Sequence, residues 1–245
     1  MDSSHGPIAD SSILIERTGI PRRVLSRVLG STHLGVGFRV LDVGCGRGEL
    51  AAYLDSLGVH CTGIDESPVN VMEARRNVPA CEFNCASISD SVTGPKPGFD
   101  LVLVREASVF QTSLLSPAAF SASLQLMTRL RPGGSLAFLA RIVASTWSTE
   151  GHRLACFARH VGSLPGIYEL HELPDGLIFG RSIRSRTAGQ HGSGYAVAVL
   201  RLPQQPLSQI QWKQAAEVAA KAAGAPCCQW AAQLAESTRF RSKAA

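Results

Sequence analysis

Three observations predict an α/β chain built on a doubly wound, mostly parallel sheet with an antiparallel final strand. The apolar run Phe38, Val40, Leu41 and Val43 leads straight into glycines 44, 46 and 48, and a second strand pattern follows that closes on Asp65. That order is strand, tight turn, helix, strand. Phe99-Asp100-Leu101-Val102-Leu103-Val104 is a second continuous apolar run, of the kind a strand shows when both its faces are covered. Near the far end, a glycine-rich turn at 188–194 precedes the apolar run from Tyr195 to Leu202. Strands joined by a short loop of that kind pair antiparallel.

Each element follows from local signals. Residues 1–12, rich in Ser, Asp, Gly and Pro, are expected to be mobile. Residues 13–37 are read as a helical cover. Its helix runs from Ile20-Pro21 to Leu29-Gly30, with Val24, Leu25, Val28 and Leu29 at helical spacing and Gly30 as its stop. The first strand spans about 38–43. A helix over about 48–58 presents Leu50, Ala51, Leu54 and Leu57 and stops at Gly58, and the second strand covers about 59–64. Ser67 caps the next helix, Pro68 fits its first turn, and Val69, Met72 and Ala74 are expected to face the sheet as far as Asn77. Strands follow at 81–85 and 99–104, then a helix at 117–130 and a strand at 135–140. Thr149 to Val161 reads as a helix, 167–172 as a strand, and Leu177 to Arg186 as the partner of the final strand. Beyond Pro203, helices at 207–223 and 228–238 extend the fold. Ile210, Trp212, Val218, Trp230 and Leu234 are expected to bury locally there.

The glycine spacing selects among nucleotide ligands. A dinucleotide fingerprint needs G-x-G-x-x-G, and a phosphate loop needs Lys-Ser/Thr after its last glycine. This chain has neither; it has D-x-G-x-G-x-G, with Asp42 two residues ahead of Gly44. An acid there repels a pyrophosphate and attracts an ammonium group, which points to a nucleoside carrying an amino-acid cation. S-adenosylmethionine fits that description. Asp65, closing the next strand, is placed to accept hydrogen bonds from both ribose hydroxyls.

On Leu41-Asp42-Val43-Gly44-Cys45-Gly46-Arg47-Gly48, the acid Asp65, the Phe99-Asp100 strand start and Leu130-Arg131-Pro132-Gly133-Gly134, the chain resembles the class I S-adenosylmethionine-dependent methyltransferases over residues 38–141. The resemblance implies a seven-stranded sheet and one domain over 1–245, with a core at 38–202 and a helical extension at 203–245. It also implies S-adenosyl-L-methionine as cofactor, S-adenosyl-L-homocysteine as product, and a small-molecule acceptor methylated on O or N. The cofactor-binding set it implies is Asp42, Gly44, Cys45, Gly46, Gly48, Asp65, Glu66, Cys85, Ala86 and Arg105. Cysteine at 85 departs from the family's usual aspartate. Arg105-Glu106-Ala107-Ser108 stands where methylases of base amino groups carry Asn/Asp-Pro-Pro-aromatic, which disfavours that chemistry. Glu106, directly after the fourth strand, and His152 are the candidate catalytic residues. RNA or protein methylation and a non-catalytic binding role are the alternatives.

Composition narrows the rest. At 245 residues one α/β domain with a large core is expected. No apolar stretch approaches the about 20 residues that cross a bilayer, and the N-terminus lacks a secretory pattern, so the expected place is the cytoplasm without membrane association. Seven cysteines without a C-x-x-C argue against a disulfide framework or zinc ribbon, so no metal is expected. A net charge of +5 with arginines at 17, 22, 23 and 27 raises nucleic acid as a partner, but aromatics are only 6% and are not interleaved with the charges, which disfavours it. A monomer or homodimer is expected.

Overall fold

The computed structural model describes Leu14 and residues 17–88, 98–105, 107–112, 115–143, 158–174 and 193–223. In chain order the elements are α1 (Arg22–Thr32), β1 (Arg39–Val43), α2 (Glu49–Ser56), β2 (His60–Asp65), α3 (Pro68–Asn77), β3 (Glu82–Cys85) and β4 (Phe99–Arg105). There follow α4 (Ser108–Thr112), α5 (Pro117–Met127), β5 (Leu130–Val143), β6 (Ile167–Pro174), β7 (Ser193–Arg201) and α6 (Gln209–Ala222). The strands form one seven-stranded sheet in the order β3-β2-β1-β4-β5-β7-β6. β1 to β5 pair in parallel, and β7 runs antiparallel to both β5 and β6. The predicted fold class is the observed one.

Successive strand residues point to opposite faces, so each central strand feeds two cores. Val40, Leu101, Leu103, Ala137 and Val199 bury on one face against Val24, Leu25 and Val28 of α1, Leu50 and Leu54 of α2, and Val71 and Ala74 of α3. Leu41, Val43, Val102, Val104, Leu136 and Phe138 bury on the other, under Phe120 and Leu126 of α5, Val161, and Ala219 and Ala222 of α6. Burial on both faces is why these strands read as unbroken apolar runs.

The helix starts are chemically specified. The Ser67 hydroxyl accepts from the Asn70 amide ahead of Pro68, the Ser116 hydroxyl accepts from the Ala119 amide ahead of Pro117, and Ser208 with Gln211 forms a reciprocal capping box on α6. α1 runs through Gly30 and ends at His33, whose φ of 53° is left-handed. A glycine at 30 weakens a helix but does not end one whose apolar face is buried.

Several expectations are corrected. Val69 and Met72 are more than half exposed, and α3 buries Val71 and Ala74 instead; Leu57 is also exposed. Ile210 and Val218 are exposed, and Trp212 alone of the α6 aromatic and branched residues packs against the core. The strand beside β7 is β6 at Ile167–Pro174; the predicted partner at 177–186 lies outside the described residues, as do 228–238 and most of the predicted 149–161 helix. β5 starts five residues early at Leu130, and the register with β4 shifts between Phe99 and Leu101, where Pro132, Gly133 and Gly134 distort the ladder.

Candidate functional site

The site grows from the carboxyl ends of β1, β2 and β4. The chain leaves β1 through Gly44, Gly46 and Gly48, with φ of 79°, 56° and 84°, values that L side chains rarely adopt. Their missing side chains serve different ends. A Cβ on Gly44 would collide with the Arg105 carbonyl, and one on Gly48 would lie 3.2 Å from both Ala74 and Phe83. Those two glycines close-pack the loop against β4 and α3. Only at Gly46 is there room, the nearest neighbour being Glu49 Oε2 at 3.7 Å.

Asp65 fastens this loop to β2. One carboxylate oxygen accepts from the Gly46 amide at 2.9 Å, and the other from the Ser67 amide at 2.9 Å and Asn70 Nδ2 at 3.1 Å. Three neutral donors thus orient the carboxylate, which stands half-buried at the cleft wall.

Asp42 lies beneath the loop, paired with Arg105. It is wholly buried, and Arg105 reaches it with two bonds, Nε to Oδ1 at 3.2 Å and Nη2 to Oδ2 at 3.1 Å. Arg105 Nη2 also lies 3.5 Å from the Gly44 carbonyl and 3.4 Å from that of Cys45. Burial raises the Asp42 carboxyl above its ordinary value, opposed by Arg105; burial likewise works against the Arg105 charge, but Asp42 overrides it and holds the guanidinium above its ordinary value. The pair is therefore close to neutral, and Asp42 offers an incoming ammonium group little attraction. The two side chains brace the loop from beneath.

A cleft of about 380 Å³ opens beside the loop. Val43, Gly44 and Ile64 form its floor, Asp65 and Glu66 one wall, and Ala86, Ser87 and Ile88 the adjoining end. Ala107, Ser108 and Val109 stand opposite, and Ala118, Ser121, Ala122 and Gln125 of α5 close it from above. Glu66 reaches across the mouth, where Oε2 accepts from the Ser108 hydroxyl at 3.2 Å. The volume falls in the range of ordinary ligand pockets.

Of the sequence-predicted cofactor residues, Gly44, Asp65, Glu66 and Ala86 line the cleft. Asp42, Gly46, Gly48 and Arg105 shape the loop behind it. Cys45 turns its side chain into the core against Gly63, and burial pushes its thiol far above the ordinary range. Cys85 is exposed at the end of β3, its Sγ 3.7 Å from the Glu66 carbonyl. Glu106 and His152, the catalytic candidates, lie outside the described residues. The α5 wall escaped sequence reading; its signal was the run of small residues after Pro117, which lets a helix approach a ligand closely. His160 was read only as part of a helix. It is fully buried, hydrogen-bonded at 2.8 Å to Ser123 and stacked on Phe120 with ring centroids 4.5 Å apart.

The family model described as a methyltransferase domain matches residues 40–134, from β1 into β5. A ubiquinone biosynthesis O-methyltransferase of Bradyrhizobium diazoefficiens is 35% identical over 88 residues, 34% of this chain and 34% of that one. A malonyl-[acyl-carrier protein] O-methyltransferase of Enterobacter lignolyticus is 37% identical over 100 residues, 41% of this chain and 38% of that one. The matched stretches thus span little more than a third of these relatives. Among solved structures, the YcgJ protein of Bacillus subtilis superimposes with a TM-score of 0.53 at 14% identity, covering 76% of this chain and 100% of that one. The [4+2]-cyclase SpnF gives 0.52 at 21% identity, covering 75% and 82%. Residues 40–134 of this chain are thus similar to a methyltransferase domain, and its seven-stranded sheet, with antiparallel β7 between β5 and β6, has the fold of those two solved structures.

Proposed function

We propose that the chain transfers the methyl group of S-adenosyl-L-methionine to an oxygen or nitrogen of a small-molecule acceptor. The observation that carries this reading is the cleft bounded by the Asp65-pinned glycine loop. Asp65 and Glu66 are disposed to hold the ribose hydroxyls, Ile88, Ala86 and Val43 to enclose the adenine, and the open space at Gly46 to admit the amino-acid portion. The residues present fit such a ligand: an apolar floor, two carboxylates on one wall, and a loop whose backbone conformation is already set.

When bound, the cofactor supplies a methyl on a sulfonium, whose departure as a neutral thioether needs alignment more than a base. The chain's part is to fix that alignment. Ser108 and Val109 after β4, with α5 above, form the side from which an acceptor would approach. The names of the relatives, an O-methyltransferase of ubiquinone biosynthesis and one acting on malonyl-[acyl-carrier protein], favour oxygen. Glu106 remains the proposed acceptor-contacting residue, because in sequence it stands between Arg105, which ends β4, and Ala107, which lines the cleft; His152 is the second candidate.

Titration calorimetry with S-adenosyl-L-homocysteine measures the first half. Binding is expected, with Asp65→Asn weakening it roughly ten- to a hundred-fold through loss of charged hydrogen bonds. Label from methyl-labelled cofactor should then enter low-mass phenol or carboxylate acceptors rather than RNA or protein. Failure to bind the product would remove the reading altogether. Binding without transfer to any acceptor would favour a cycloaddition role, which two of the matches carry in their names, the cyclase SpnF and a Diels-Alderase of Talaromyces variabilis.

A further inference from the structure

We infer that Arg23 is the receptor for the methionyl carboxylate of the cofactor, an inference that rests on the cofactor-binding reading above. Nε, Nη1 and Nη2 of Arg23 are all buried, and none has a hydrogen-bond partner. A guanidinium withdrawn from water without a partner is a costly arrangement, which proteins keep where an anion completes it. The other arginines once grouped with it, at 17, 22 and 27, are exposed. Arg23 alone of these four turns its head inward.

Its position follows from how α1 is tied down. At the end of the helix, Arg201 Nη2 donates to the Ser31 carbonyl at 2.7 Å, and Arg201 pairs in register with Ser135, near the amino end of β5. A helix rises about 1.5 Å per residue, so Arg23 stands about 12 Å from Ser31 along its axis. Four strand residues cover about 13 Å, which leads from Arg201 to Val197, whose register partner is Leu139. Leu139 in turn is the partner of Arg105. Val24, Leu25 and Val28 bury in the same core as Leu139 and Val197, keeping the helix on that course. The first turn of α1 therefore reaches the level of the last residue of β4, at the sheet edge where the glycine loop emerges.

The carboxylate of Asp42 is already paired at this edge. Asp42 and Arg105 share the sheet face that α1 covers, because they alternate in phase with Val40 and with Leu101 and Leu103. Asp42 and Arg105 offset one another, which leaves Arg23 as a buried guanidinium without a partner at this edge. A planar guanidinium matches a carboxylate through two parallel bonds, and the methionyl portion carries one. The loop therefore holds the amino-acid end of the ligand by its carboxylate rather than by attraction of Asp42 for its ammonium.

Two ligands isolate the contact: S-adenosyl-L-homocysteine, which has the carboxylate, and 5′-methylthioadenosine, which keeps the nucleoside and thioether but lacks the amino-acid portion. In calorimetry, Arg23→Gln should weaken the first roughly ten- to a hundred-fold and leave the second unchanged, with Arg23→Lys recovering part of the loss. The melting temperature of the ligand-free variant should stay level or rise, because an unpaired buried charge has been removed. Equal homocysteine-adduct affinity in parent and variant, a parallel loss for methylthioadenosine, or a sharply lowered ligand-free melting temperature would each overturn the assignment. A parent protein that binds neither ligand overturns the cofactor reading first, and this inference with it.

Discussion

Asp42 and Arg105 show how a residue legible by type can have a partner that the sequence hides. The carboxylate ahead of Gly44 stands out in the sequence, and charge alone assigns it to a ligand. Its partner is 63 positions away, on the other side of two helices and two strands, and no local pattern reveals it. The physical signature of the pairing is asymmetry under mutation. Asp42→Asn alone leaves a buried guanidinium uncompensated and should cost about 3–5 kcal/mol, whereas Asp42→Leu with Arg105→Met should cost far less than the sum of the single changes. Chemical denaturation of the four proteins in that cycle measures it; additive losses would mean that the two side chains are not coupled. The place of Asp65 was readable, as the carboxylate that closes β2 beside the glycine turn. Its three hydrogen bonds to protein donors were not foreseeable.

Elements were legible where one force dominates. β1 and β4 are buried on both faces, so hydrophobicity alone marks them, and the observed strands begin or end within a residue of the expected ones. Helix starts were legible through capping chemistry. Ser67 has the expected role, and Ser67→Ala should lower stability by about 1 kcal/mol, read as a shift in the denaturation midpoint without a change in slope. The same substitution at the exposed Ser56, whose hydroxyl donates to the Tyr53 carbonyl within the last turns of α2, should have a much smaller effect. Helix ends and faces were less legible. Gly30 is a poor helix former, yet Val24, Leu25 and Val28 hold α1 in place past it. α3 carries apolar residues on two sides, and only the sheet decided that Val71 and Ala74 go in while Val69 and Met72 stay out. Composition cannot distinguish those alternatives, since both sets satisfy helical spacing.

At the scale of the whole molecule, the sheet order explains why the first 140 residues were easier to read than the remainder. Up to β5 each strand pairs with a neighbour reached through a crossover, and the loop, the acid and the cleft all lie in that part. After β5 the partner choice depends on distant pairing, and the strand that lies beside β7 could not be chosen from alternation between two candidate segments. The arrangement also bears on how the chain is made. β7 is near the end of the sequence but occupies an interior place in the sheet, bonded on both sides, from Ser135 to Val143 and from Ile167 to Pro174. A ribosome releases the amino-terminal strands long before it delivers Ser193–Arg201, and until then β5 presents an open, apolar edge of the kind that seeks other chains. A stop codon after residue 190 should therefore yield aggregated or chaperone-bound protein without a cooperative melt, although the entire glycine loop and both carboxylates of the cleft are present in it. Expression of that truncation as a soluble species with a sharp transition would show that the early strands close without their late partner. Otherwise the nascent protein has a vulnerable interval between synthesis of its ligand-binding half and arrival of the strand that seals it.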